Sequence, residues 1–249
     1  MYKTIVFEKE DKVATITLNR PDKLNAINIE LHNELLVALD EAANDAEIFA
    51  LIIAAAGRAF CTGHDVATVH EGSEELRRHR IVRKMVDFEK PIIAVVNGYA
   101  LAEGFQIALA SDIIIASERA QFGAIGAVLG SICNYAVFAL PRVIGRNKAA
   151  DMLFTGRHVG GKEAYELGLV NRLVPPEQLM KAAHEMTDAI IKNAPLSVKY
   201  SRQALRKGEY DAEAEDWVYK VVQSLARTED QKEAFSAILE KRSPIFKGK

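Results

Sequence analysis

NGYALAEGFQIALASDIIIAS, Asn97 to Ser117, reads as a strand end, a turn of small residues, a short helix and a second strand. The apolar run PIIAVV leads into it, and DIIIAS closes it as a continuously apolar strand rather than an alternating one. Strands of that kind belong to sheets covered on both faces. The same design stands about forty residues earlier, where the buried strand ALIIAAA is followed by the loop GRAFCTGHDV, Gly57 to Val66, and then a helical stretch. Strand, loop and helix therefore recur, and the fold class is α/β layering. Each glycine loop lets backbone come close to a ligand and leaves helix-start N–H groups pointing outward. Two such donors converging on one oxygen form an oxyanion hole, which suits chemistry passing through an enolate or a tetrahedral adduct.

Outward from these loops, the chain opens with two antiparallel strands, TIVFEKED and KVATITLNR, joined by a charged turn. A helix follows over IELHNELLVALDEAAND, with Leu31, Leu35, Ala38, Leu39 and Ala42 on one face. A polar helical stretch is expected from about Glu74 to Phe88. Beyond residue 176 the strands cease. EQLMKAAHEMTDAIIKNA, PLSVKYSRQALRKG, EYDAEAEDWVYKVVQSLART and EDQKEAFSAILEKR read as amphipathic helices. The expected organisation is an α/β core over 1–193 and a helical region over 194–249.

Bulk composition narrows the function classes. With 32 basic and 34 acidic residues in 249, the net charge of −2 gives no electrostatic case for nucleic acid or an anionic membrane. The charged opening MYKTIVFEKEDK lacks the apolar stretch of a signal peptide, and no segment reaches the roughly 20 apolar residues needed to cross a bilayer. Two cysteines, Cys61 and Cys133, make no disulfide framework and read as small buried hydrophobes, so a reduced, cytoplasmic protein is expected. His70, His79, His158 and His184 read as surface or structural, and no metal-ligand spacing is present. A dinucleotide-binding reading fails because GFQIALASD lacks the G-x-G-x-x-G spacing.

RPDKLNAIN, GRAFCTGHDV, KPIIAVVNGYALAEG, ASDIIIAS, AQFGA, LPRVIG, LFTGR, GLVNRLV and LEKRSPIFKG, in this order from about Lys3 to Lys249, resemble the enoyl-CoA hydratase/isomerase family, the crotonase superfamily. The resemblance implies a crotonase-like spiral of ββα units forming two roughly perpendicular sheets, followed by helices that mediate a homotrimer or a dimer of trimers. It implies an acyl-CoA thioester as substrate, with no cofactor beyond the CoA moiety, and a carbonyl oxygen held by the backbone N–H groups of His64 and Glu103. CoA contacts would fall at Pro21, Asp22, Lys23 and Leu24, at Val66 and Ala67, and at Lys241 and Phe246, the last two often reached from a neighbouring subunit.

The sequence departs from the family where hydratases carry two glutamates. The first position is Gln106, which hydrogen-bonds but cannot shuttle a proton near neutral pH. The second is Gly126, which has no side chain. Both acid/base positions are vacant, so a standard hydratase is disfavoured and decarboxylase- or isomerase-like chemistry is open. A non-catalytic acyl-CoA-binding protein is the alternative. Glu103 admits two readings: it replaces the missing proton shuttle, or it is a solvated or salt-bridged helix-capping residue that merely narrows the site. Electrostatics weigh toward the second, because a carboxylate beside an oxyanion repels the charge being stabilised. For the His64 imidazole a role and its absence weigh equally, and Asp65 reads as a cap for the following turn. Tyr135 and Asn134 lie in the loop expected to close over the acyl group, and Tyr135 is retained as a catalytic candidate with packing as its default.

Overall fold

A computed structural model describes residues 2–65, 67, 80–208, 217, 220–222, 224–225, 227–240 and 242–249. Val66, His70, His79, Lys241, the first part of the helix expected from Glu74 and most of the stretch beginning at Glu209 lie outside them.

The chain starts with β1 (Ile5–Glu10) and β2 (Val13–Leu18), an antiparallel hairpin in which Ile5 faces Leu18 and Glu10 faces Val13. Helix α1 (Ile29–Asn44) begins at Asn28, whose side-chain oxygen accepts from the Leu31 amide, and buries the expected face: Leu31, Leu35, Ala38, Leu39 and Ala42. From there each turn of the chain deposits one strand in each of two sheets. β3 (Ala50–Ala55), β5 (Ile92–Val96), β7 (Ile113–Ser117) and β10 (Arg172–Val174) extend the first hairpin into a six-stranded sheet of order β1-β2-β3-β5-β7-β10. β4 (Ala59–Cys61), β6 (Tyr99–Leu101), β8 (Gln121–Gly123) and β9 (Val159–Gly160) form a second, four-stranded sheet. Between the successive pairs run α2 (Arg80–Asp87) after β3 and β4, and α3 (Glu103–Ala110) after β5 and β6. The ββα spiral is this alternation.

The large sheet is buried on both faces, as its unbroken apolar strands require. Leu51, Ile53, Ile92, Ala94 and Val96 point into the main core with α1, α2 and α3. Their neighbours Ile52, Ala54, Ile93 and Val95 point the other way, onto Leu179, Ala182 and Ala183 of a later helix. That helix is α7 (Leu179–Ile191), which follows α4 (Ala136–Ile144), α5 (Arg146–Thr155) and α6 (Gly161–Glu166). Beyond the last strand the described residues also include α8 (Pro195–Lys207) and α9 (Glu229–Glu240). Among the described residues no helix is long and apolar enough to cross a membrane.

The second sheet is the main departure from the residue-by-residue reading. The loop GRAFCTGHDV and the turn that opens NGYALAEG each contain a three-residue strand, AFC and YAL. Strands this short carry no readable period, and β4, β6 and β8 hold together through parallel neighbours supplied by other turns of the spiral.

Candidate active site

β4 and β6 run parallel side by side, so the turns that follow them emerge at the same edge of the small sheet. Contact between the turns is close: a Cβ added to Gly63, at φ +100°, would stand 2.8 Å from the Ala102 Cβ and 3.5 Å from the Glu103 nitrogen. Only a residue without a side chain lets the two turns meet so closely.

The two amides named from the sequence are thus brought to one place. His64 forms an isolated parallel bridge with Ile27, in which the Ile27 amide donates to the Gly63 carbonyl at 2.8 Å and the Asp65 amide donates to the Ile27 carbonyl at 2.9 Å. In that pattern the middle residue directs its own N–H away from the partner strand. Glu103 is the first residue of α3, within the first turn, where helix N–H groups lack intrahelical acceptors. The residue before it, Ala102, has φ 48° and ψ −117°, a positive-φ conformation that costs a residue with a Cβ about 1–3 kcal/mol.

The Glu103 side chain is neither solvated nor at the rim: it is 2% exposed. Its Oε2 accepts from the Gln106 side-chain amide at 2.6 Å, one helical turn further on. Gln106 is itself buried and its orientation is fixed, because its Oε1 accepts from the Tyr135 amide at 2.6 Å and from the Ala136 amide at 3.3 Å. With the oxygen so engaged, the NH2 end must face Glu103. The carboxylate stands near both cysteines. Burial, with the Glu103 charge adding to it, pushes the Cys61 thiol up to about 12 and raises that of Cys133. Both thiols are buried and held protonated, so neither is a nucleophile.

Gly126 lies under the loop that carries Cys133. A Cβ there would approach the Cys133 nitrogen and the Ile132 carbonyl carbon to 2.8 Å each, so the backbone leaves no room for a side chain at this position.

Tyr135 enters the site through its backbone and not its ring. Its hydroxyl accepts from Arg206 Nη1 at 2.8 Å, and Arg206 also donates to the Ala110 carbonyl, at the end of α3 opposite Glu103. Asn134 is exposed. Asp65 acts as the expected cap, accepting from the Ala67 amide at 3.2 Å through Oδ1, while Oδ2 pairs with Arg20 at 3.2 Å.

Of the expected CoA contacts, Pro21–Lys23 form an exposed 3-10 turn ending in Leu24 at φ 50°. The turn is pinned by the buried Asn25, whose amide nitrogen donates to the Ala56 and Ala59 carbonyls at 2.9 and 2.8 Å. Thr62 Oγ1 donates to the Leu24 carbonyl at 3.4 Å, which sets this turn beside the amides of residues 63 and 64. Phe246 is elsewhere: its carbonyl accepts from Lys12 Nζ at 3.4 Å, at the start of β2, whereas Pro21–Leu24 follow the end of that strand. Within one subunit Phe246 and the Pro21–Leu24 turn are not brought together.

Arg206 was missed by reasoning from the residues, although Arg202 and Arg206 at helical spacing in SRQALRKG mark a cationic edge that needs an acid, supplied by Asp112. Arg20, next to the PDK turn, was also passed over.

The sequence profile of the family described as enoyl-CoA hydratase/isomerase matches residues 8–249. The short-chain-enoyl-CoA hydratase of Clostridium acetobutylicum is 38% identical over 248 residues, covering 96% of this chain and 95% of that protein. The (E)-benzylidenesuccinyl-CoA hydratase of Thauera aromatica is 35% identical over 254 residues, covering 98% and 99%. Among solved structures, the enoyl-CoA hydratase from Bacillus anthracis superimposes with a TM-score of 0.94 at 30% identity, over 99% of this chain and all of that one.

Proposed function

The chain belongs to the enoyl-CoA hydratase/isomerase family, and from that premise we propose that it processes an acyl-CoA thioester through an enolate whose oxygen is held by the His64 and Glu103 amides. We further propose that a single carboxylate, Glu103, moves the proton. The observation that carries this is the buried Glu103 carboxylate, fixed at 2.6 Å by Gln106 beside the turn where the two amides meet.

Each backbone donor of an oxyanion hole supplies about 3–4 kcal/mol of transition-state stabilisation. One carboxylate in reach favours a reaction that asks for one acid/base group. In double-bond migration of a 3-enoyl thioester, the Glu103 carboxylate takes a proton from Cα and the C–H electron pair delocalises onto the thioester oxygen as a dienolate. The Glu103 carboxylic acid then returns the proton to Cγ, and the double bond lies between Cα and Cβ. This order removes the electrostatic objection to Glu103, because its charge passes to the enolate and the two anions never coexist. Decarboxylation fits less well, since it sets a substrate carboxylate beside Glu103. Hydration on two glutamates has only Gln106 and Gly126 at the corresponding positions.

The nucleotide end of CoA is assigned to the Pro21–Leu24 turn, with Phe246 and Lys241 contributed by a neighbouring copy in a trimer. The apolar side chains left exposed at Val128, Ile132, Phe138 and Phe154 are consistent with a covered face in such an assembly.

The test is proton NMR of the purified protein in deuterium oxide with 3-butenoyl-CoA and with crotonyl-CoA. The expected result is conversion of 3-butenoyl-CoA to crotonyl-CoA, with loss of the reaction in Glu103→Gln. Hydration of crotonyl-CoA outpacing that migration overturns the one-carboxylate reading. Binding of both esters with turnover of neither points to the acyl-CoA-binding alternative.

A further inference from the structure

We infer that Arg206, on helix α8, is a positioning residue for the Glu103 carboxylate, acting through Tyr135 and Gln106. The inference deepens the proposed function and rests on it for the chemistry, though not for the geometry.

Three hydrogen bonds join residues that the sequence keeps far apart. Arg206 Nη1 donates to the Tyr135 hydroxyl at 2.8 Å, the Tyr135 amide donates to Gln106 Oε1 at 2.6 Å, and Gln106 Nε2 donates to Glu103 Oε2 at 2.6 Å. Each link restricts the next. Gln106 presents its NH2 end to Glu103 because its oxygen is engaged by the Tyr135 and Ala136 amides. Those amides stand at the start of α4, and the Tyr135 ring is tethered at its far end to Arg206. Releasing that tether loosens the segment whose amides orient Gln106.

The anchor for this chain is rigid. Asp112 accepts from Arg206 Nη2 at 2.9 Å, from Arg202 Nε at 2.7 Å and from the Ile92 amide at 2.8 Å. Arg202, 5% exposed, also donates to the Met85 carbonyl at 2.9 Å and to that of Phe88. Arg202 thus ties α8 to the end of α2, while Arg206 spans α3: it holds the Ala110 carbonyl at one end and reaches Gln106 through Tyr135. A buried arginine deprived of its acid is expensive, so Arg202 and Asp112 carry the fold. Arg206 sits at the partly exposed side of the cluster, 22% exposed, where removal leaves the Arg202–Asp112 pair in place.

The experiment uses the full chain with Arg206→Leu, Arg206→Lys and Tyr135→Phe. Lys199→Met is the control, because Lys199 lies on the same helix, pairs with Glu89 at 2.7 Å and is remote from this chain of bonds. The first readout is the side-chain NH2 resonance of Gln106 in nitrogen-15 spectra, assigned by its loss in Gln106→Met. It should move in Arg206→Leu and in Tyr135→Phe, stay put in Lys199→Met, and return toward the wild-type position in Arg206→Lys. The second is turnover of 3-butenoyl-CoA, where kcat should fall about tenfold in Arg206→Leu with KM within about twofold, the pattern of a displaced catalytic group and not of lost binding. A Gln106 resonance that ignores both Arg206→Leu and Tyr135→Phe in folded protein overturns the inference, whatever the kinetics. A resonance that moves as expected while the wild type leaves 3-butenoyl-CoA untouched supports the positioning chain and sinks the proposed reaction instead.

Discussion

Gln106 Nε2 and Glu103 Oε2 lie 2.6 Å apart, three residues apart on one buried helix. The amide therefore does two jobs: it holds α4 through its oxygen and aims a carboxylate through its nitrogen. Viewed this way Gln106 is not an inert stand-in for an acid. It is the reason that an acid one turn earlier can be kept buried and directed, since a carboxylate removed from water needs a donor.

Gln106→Glu is the sharpest check on that pairing. It puts two carboxyl groups at hydrogen-bond distance, and like charges at that range cannot both ionise, so the pair retains a proton to higher pH than an ordinary glutamate. A folded-state pKa raised above the unfolded value of about 4.3 makes the folded state bind the extra proton. The variant should then match the wild type near pH 4 and lose stability steadily as pH rises toward 8. Thermal melts across that range measure it. A difference from wild type that is independent of pH would count against the contact.

Much of this was legible beforehand. The unbroken runs of β3, β5 and β7 announce a sheet buried on both faces, and the paired design of the two glycine turns announces the place where they meet, at Gly63 and Ala102. What stayed hidden depended on partners distant in the chain. Neither reading of Glu103, as proton shuttle or as solvated or salt-bridged cap, includes its burial, because that burial comes from segments the helix itself does not name, and the tie from Tyr135 to Arg206 spans 71 residues. The absence of a side chain at residue 126 was visible as a letter. That no side chain fits there became visible only when the Ile132–Cys133 segment was seen lying across it.

Gly126→Ala follows from that crowding. Its φ of −54° is ordinary, so strain arises from contact alone: the new methyl meets the Cys133 nitrogen and the Ile132 carbonyl carbon, both backbone atoms that cannot swing aside. Overpacking of this kind costs about 1–3 kcal/mol. Urea denaturation of the variant should show that loss, and Gly126→Glu should lose at least as much without gaining hydration of crotonyl-CoA. Full stability in Gly126→Ala would mean that the loop yields easily.

Ala102→Gly addresses strain of the opposite origin. Ala102 holds φ 48° and ψ −117° at the entry to α3, where its methyl group is the disfavoured element. Glycine removes that penalty but gives the unfolded chain more freedom, worth about 0.5–1 kcal/mol against it. The net expectation is a gain of about 1 kcal/mol in chemical denaturation. A destabilised variant would show that packing of the Ala102 methyl against Gly63 outweighs the backbone cost.

The last expectation concerns pH and lies away from the site. Glu34 on α1 ties down the chain's first strand: its carboxylate accepts from the Lys3 and Thr4 amides at 2.8 Å each and from the Thr4 hydroxyl at 2.6 Å. Burial pulls its pKa up, but these hydrogen bonds outweigh burial and hold it below the ordinary glutamate value. A depressed folded-state pKa means that the stabilisation is present in full above the unfolded value, about 4.3, and is lost as pH falls through the folded one. Glu34→Gln should cost about 1 kcal/mol at pH 7, where the charge-assisted bonds are complete. The gap between variant and wild type should close below about pH 4 as the wild-type carboxylate takes up its proton. Guanidinium denaturation at pH 7 and pH 3.5 makes the comparison, and an equal gap at both would remove the carboxylate's charge from the explanation.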